Sequence, residues 1–226
     1  MKTVLLYTFL LSIKLISFAI DTPAEKKDGD IIRSTKSTNA EATALYDKAM
    51  ALLTNKETES AIDCLNKAVL LDPEFIDAYD QLAAIYIGKS EYMMAKLNAT
   101  KSLELYPEGY MSNLHLGNIY ENIRDFATAL TYYDKCTRIQ PENPEGYYKS
   151  GKMYFVANDF KKSLVNALIA EKYYKKQQNL LTLDAQYLAG MSYHGLGIKN
   201  NAKKYLKKAL EGGLQLPNEI KMIYGL

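Results

Sequence analysis

A catalytic site needs an acid, a base, a nucleophile or a metal brought to one point. The rarest reactive residues therefore come first. The chain has two histidines, His115 and His194, 79 residues apart. Neither sits in a metal-ligand motif, where ligands recur a few residues apart. His115 reads as a half-exposed helix residue. Gly195-Leu196-Gly197 offers two glycines of a phosphate loop, but Asn200 stands where the third would fall, so a turn between helices is the expectation. Asn98-Ala99-Thr100 fits a glycosylation sequon, placed in mid-helix. From Lys161 to Lys208 there are ten lysines and two acids, Glu171 and Asp184. That is a solvated outer face or a contact for an acidic partner or an anionic membrane surface. These residues predict no enzyme, no cofactor and no metal.

The elements that would position these residues repeat along the chain. Pro73, Pro107 and Pro141 are each 34 residues apart, as are Ala61, Ala95 and Ala129. Ala49, Ala83, Gly117 and Gly151 keep the same period, and so do Leu52, Tyr86, Tyr120 and Tyr154. A fifth copy follows at an offset of 39, with Gly190, Tyr193, Ala202 and Ala209 in register. The five extra residues fall within Lys175 to Leu183, "KKQQNLLTL". Inside each copy the apolar residues follow a helical period, turn, and resume it. Each proline closes a second helix, because the residue before proline is pushed out of helical geometry.

This pattern resembles the tetratricopeptide repeat, with its L-G, Tyr, Ala, aromatic and Pro positions. "LHLGNIY" and "YKSGKMY" match its first helix, and "DAYDQLAAIY" matches with alanine for glycine. The resemblance implies an all-α, right-handed α-solenoid of about five helix-turn-helix repeats. They fall over 42–75, 76–109, 110–143, 144–182 and 183–214, with a C-terminal cap over 215–226. Pro217 suits the start of that capping helix. Gly117 then marks a place where helices meet too closely for a side chain. Tyr86, Tyr120 and Tyr154 are expected to bury their rings and satisfy their hydroxyls. Cys64 and Cys136, 72 residues apart, lie two repeats apart and are expected to be free thiols, since a disulfide needs Cα atoms within ~7 Å.

In this family first helices line a concave groove that holds the ligand. The corresponding residues here are Tyr46, Met50 and Leu53, then Asp80, Ala84 and Ile87, then Leu114, Asn118 and Glu121. Repeat four adds Tyr148, Lys152 and Phe155, and repeat five adds Tyr187, Met191 and His194. Some family members grip a partner's C-terminal carboxylate with paired Lys, Asn and Arg. Lys152 and Asn118 stand at such positions, but the partner lysine and arginine are missing. The expectation is a protein or peptide ligand in the concave groove. The alternative is an architectural subunit that docks through its edges or its convex basic face.

The first 20 residues, "MKTVLLYTFLLSIKLISFAI", have a short basic start, an apolar run and Ser17-Phe18-Ala19 as a small-x-small site. They read as a signal peptide over 1–19, followed by a flexible polar leader over 20–40. Export to a bacterial periplasm or envelope, or secretion, follows; retention by an uncleaved anchor is the alternative. The formal charge of +2 gives no bulk attraction to nucleic acid. Composition leaves partner identity and oligomeric state open.

Overall fold

Pro73, Pro107 and Pro141 each stand two residues past the end of a helix, where the sequence pattern puts a stop. The computed structural model describes residues 36–226. The expected signal peptide and nearly all of the leader lie outside the described residues. Eleven helices follow one another, with no strand among the described residues. The first helices are α1 (Ala40–Thr54), α3 (Ile76–Gly88), α5 (Tyr110–Asn122), α7 (Pro144–Val156) and α9 (Thr182–Gly195). They alternate with the second helices α2 (Thr58–Leu71), α4 (Tyr92–Leu105), α6 (Phe126–Ile139), α8 (Phe160–Lys176) and α10 (Lys199–Glu211). A short α11 (Asn218–Tyr224) closes the stack. Each helix packs on the one before it, so the array is an α-solenoid.

Local chemistry sets the entries. Asn39 caps α1 by accepting from the amides of Glu41 and Ala42. Just before it, the Ser37 hydroxyl bonds to the Asp72 carboxylate, so the end of the expected leader is pinned to repeat one. Asn143 and Asp159 cap α7 and α8 in the same way, and Pro144 opens α7 where its missing amide costs nothing. Between first and second helices the chain turns through a left-handed residue. These are Lys56, Ser90, Arg124 and Asn158, all with φ between 59° and 64°, and Gly197 in the fifth copy.

The small positions do what the period demands. Ala49, Ala83, Ala61, Ala95, Ala129 and Ala202 have no exposed surface. A Cβ on Gly117 would lie 2.4 Å from Cε1 and 2.6 Å from Cδ1 of Tyr133. Gly117 is therefore the space that the Tyr133 ring occupies. One repeat earlier the same two positions are Ala83 and Ala99, a smaller pair at the same helix contact. In repeat five Gly190 makes room for Leu206 instead: a Cβ there would lie 2.9 Å from Leu206 Cγ.

The tyrosine track is partly core. Tyr86 is buried, Tyr120 stacks on Tyr132 at 5.7 Å, and Tyr154 donates to Asp134 Oδ2 at 3.0 Å. Cys64 and Cys136 are free and buried, and burial pushes the Cys136 thiol up to about 12. The sequon's asparagine is buried too: Asn98 turns its amide back to donate to the Met94 carbonyl at 2.8 Å.

His115 differs from its expectation. It is buried, not half-exposed, and burial lowers its pKa to about 4. Its position within the repeat is that of Leu188, whose Cδ2 would lie 3.1 Å from a Cβ placed on Gly151 of the preceding first helix. Gln81 and Lys149, at the same position in repeats two and four, stay half-buried, so the burial of His115 is particular to its own repeat.

Candidate binding groove

The groove positions are set by one face of each first helix. Repeats three and four give them charge. Glu121, on the last turn of α5, receives three groups. Lys152 Nζ lies 2.7 Å from its Oε1, and Lys149 Nζ lies 3.4 Å from its Oε2. The Tyr133 hydroxyl donates to Oε2 at 2.6 Å and also lies 2.9 Å from Asn118 Oδ1. Burial alone would raise the Glu121 carboxyl. The hydrogen bonds from Lys152 and Tyr133 and the charge of Lys149 outweigh it and hold the group below its ordinary value. Burial, with the carboxylate beside it, raises the Tyr133 hydroxyl strongly, so it stays a donor.

Tyr133 belongs to α6, a second helix. Its ring runs past Gly117 and its hydroxyl reaches Asn118 and Glu121 without being exposed. The glycine thus lets a buried side chain of a second helix hold Glu121 in place. Lys149 Nζ lies 5.8 Å from the centre of the same ring.

Aromatic walls flank this cluster. Tyr148 meets Tyr174 edge-on at 6.2 Å. Burial, then the nearby Asp184 and Glu121 charges, push its hydroxyl up to about 12. Phe155 meets Phe160 edge-on at 5.4 Å. Both are half-buried, so part of each ring is exposed.

Other expected groove residues are placed differently. Leu114 is buried among Tyr110, Ala129, Tyr133, Cys136 and Met153 and is not a groove contact. An aliphatic side chain at that point of α5 fills the space between consecutive repeats. Asp80 is also drawn inward and is 9% exposed. Burial pushes its carboxyl up to about 6, opposed by hydrogen bonding with Ser102, aided by the Asp77 charge and opposed again by Ser112. The two serine hydroxyls are 2.8 Å apart. Every other repeat carries Ala, Cys or Gly at the positions of these two serines, so the polar cluster is local to the junction of repeats two and three. Tyr46, Met50 and Ile87 pack half-buried on the first core, and Tyr46 meets Phe75 at 5.1 Å. Tyr187 and Met191 pack half-buried on the last core.

The structure thus joins Asn118, Glu121 and Lys152 and adds Lys149 and Tyr133, which the sequence reading did not name. A signal existed for Lys149. Glu121 lies 31 residues before Lys152 and 28 before Lys149. These separations are one repeat period less three and less six, so the lysines stand about one and two turns before Glu121's counterpart, Phe155, and share its face of the neighbouring helix. Among the described residues no group of three or more His, Cys, Asp or Glu could hold a metal ion, and no helix is long and apolar enough to cross a membrane.

A family model described as tetratricopeptide repeat matches residues 42–75, 112–143 and 183–211. Anaphase-promoting complex subunit 3 of Schizosaccharomyces pombe is 21% identical over 174 residues, 73% of this chain. The chain spans 26% of that relative's length. The crystal structure of MamA superposes with a TM-score of 0.66 at 22% identity, covering 82% of this chain and 96% of MamA. YrrB, described as a TPR protein with an unusual peptide-binding site, gives 0.62 at 22% identity, covering 76% of this chain and 86% of its own. These structures share the fold.

Proposed function

Since this chain is a tetratricopeptide-repeat protein, we propose that it is a non-catalytic scaffold that holds a protein or peptide in the groove of repeats three and four. The observation that carries this is the Glu121 cluster. Two lysines from α7 and a tyrosine hydroxyl from the outer layer converge on one carboxylate between half-buried aromatic rings. Such a surface suits a segment with an apolar side chain beside an acidic one. The rings take the apolar group, and the two ammonium groups turn from Glu121 to the incoming carboxylate. YrrB, with its peptide-binding site, supports peptide capture as a use of this fold.

Peptides selected from a random display library against the protein test the reading. Enriched sequences should pair an acidic with an apolar residue. Tyr148→Ala should weaken them about 30-fold, the equivalent of about 2 kcal/mol for an aromatic anchor. Lys152→Glu should weaken the acidic ones most, and Lys203→Ala with Lys204→Ala should leave them unchanged. Loss through the Lys203 and Lys204 pair, with Tyr148→Ala silent in a folded protein, moves the site to the outer face.

The apolar start and Ser17-Phe18-Ala19 support export, with the mature chain beginning at or near Ile20. Mass spectrometry of protein recovered from its own cells should find that terminus. An intact Met1 overturns the cleavage and favours the anchored alternative.

A further inference from the structure

The five residues that break the 34-residue period form a distinct surface. The second helices α2, α4 and α6 are 14 residues long, whereas α8 has 17. Its added turn buries Tyr174 against Ala170 and Ala185, so the helix end is anchored. Lys172, Lys175 and Lys176 are exposed there and lie three and four residues apart on the helix surface. An ordered turn follows, in which the Leu181 amide donates to Asn179 Oδ1 at 2.9 Å. It leaves Leu180 84% and Leu181 41% exposed.

The end of α10 lies beside this tip. Lys208 Nζ is 4.0 Å from Glu171 Oε1 of α8. A Cβ on Gly212, just after α10, would lie 2.2 Å from Leu183 Cδ2. Lys207 and Lys208 therefore adjoin the same tip. Lys172, Lys175, Lys176 and Lys204 have no ion pair among the described residues, and Lys207 has only Glu211 at 3.5 Å.

We propose that this tip docks on an anionic lipid bilayer, with Leu180 and Leu181 entering below the headgroups and the surrounding lysines meeting lipid phosphates. Three features favour a membrane over an acidic protein. The leucines protrude from a convex turn, and a protein partner would need a pocket to receive them, whereas a fluid surface deforms around them. The cations are all lysine, point charges that suit mobile phosphates without a fixed planar geometry. Their long stems can lie along the apolar boundary while the ammonium groups stay at headgroup level.

The chain has no tryptophan, so Leu180→Trp makes a single reporter in the full-length protein. Vesicles of phosphatidylcholine with one part in four phosphatidylglycerol are added at low ionic strength. The emission should shift to shorter wavelength and be quenched by brominated acyl chains. Pure phosphatidylcholine should give neither effect. Reversing Lys172, Lys175 and Lys176 to Glu should weaken the response about tenfold or more, and high salt should do the same. Leu70→Trp, on an exposed α2 position, should stay unshifted, which separates this tip from any contact made by the first 35 residues. An unchanged Leu180→Trp emission overturns the proposal, as does an equal response to neutral vesicles or from Leu70→Trp. Should the charge reversals unfold the protein, the lipid-charge and salt comparisons decide alone.

Discussion

Gly117→Leu should destabilise the protein at or above the top of the range for overpacking, about 1–3 kcal/mol. The first carbon alone would sit 2.4 Å from the Tyr133 ring. That ring has no exposed surface, and its hydroxyl is tied to Glu121 and Asn118. It has nowhere to go without breaking the groove cluster. Urea denaturation followed by circular dichroism measures the loss. Gly88→Leu is the control, because nothing lies within 4 Å of a Cβ there. Combining Gly117→Leu with Tyr133→Ala should recover part of the loss, since the ring is the obstacle. Equal effects at Gly88 and Gly117 would remove the packing explanation.

Asp80 and His115 should give stability of opposite pH dependence. Asp80 is raised from 3.8 to about 6 by burial. Its favourable contribution is complete below pH 4 and is lost as pH rises through 6. His115 is lowered from 6.5 to about 4 by burial. Its contribution is complete above pH 6.5 and is lost as pH falls through 4. Between pH 4 and 6.5 the two oppose, so the wild type is nearly flat with respect to this pair. Asp80→Asn leaves the histidine alone, and stability should drop by about 2–3 kcal/mol on acidification from pH 7 to pH 4. His115→Gln leaves the aspartate alone, and the same acidification should raise stability by a similar amount relative to wild type. Denaturant midpoints at the two pH values test both. Parallel slopes in the two variants would show that these groups are not the titrating pair.

Much of the fold was legible because a repeat is a periodic constraint. Gly117, Ala83 and Ala49 could be read as close contacts because several independent tracks shared one spacing. The partner of each contact was harder to see. Tyr133 against Gly117 and Leu206 against Gly190 are choices made between helices, where the volume of one side chain sets the volume of the other. The groove was legible as a set of positions but not as an arrangement. Leu114 and Asp80 occupy the same repeat position as Tyr46, Tyr148 and Tyr187, yet are buried while those rings are half-exposed. A large ring cannot fit wholly between consecutive repeats, whereas leucine and aspartate can. Lys149 went unnamed because its partner lies on the preceding helix, at a spacing that only the stacked geometry makes meaningful.

The turns between first and second helices hold a different lesson. Lys56, Ser90, Arg124 and Asn158 all adopt the left-handed conformation that the fifth copy gives to Gly197. That conformation costs a side-chain-bearing residue about 1–2 kcal/mol, yet a lysine, a serine, an arginine and an asparagine all accept it. What imposes it is the need to reverse direction within three residues between helices already fixed by their packing. At the left-handed position the turn therefore fixes shape and length rather than residue type, while the residue after it is acidic in four copies, as Glu57, Glu91, Asp125 and Asp159. The left-handed position leaves no track in the sequence, whereas the acidic residue after it, whose carboxylate caps the next helix at Asp125 and Asp159, keeps the 34-residue period.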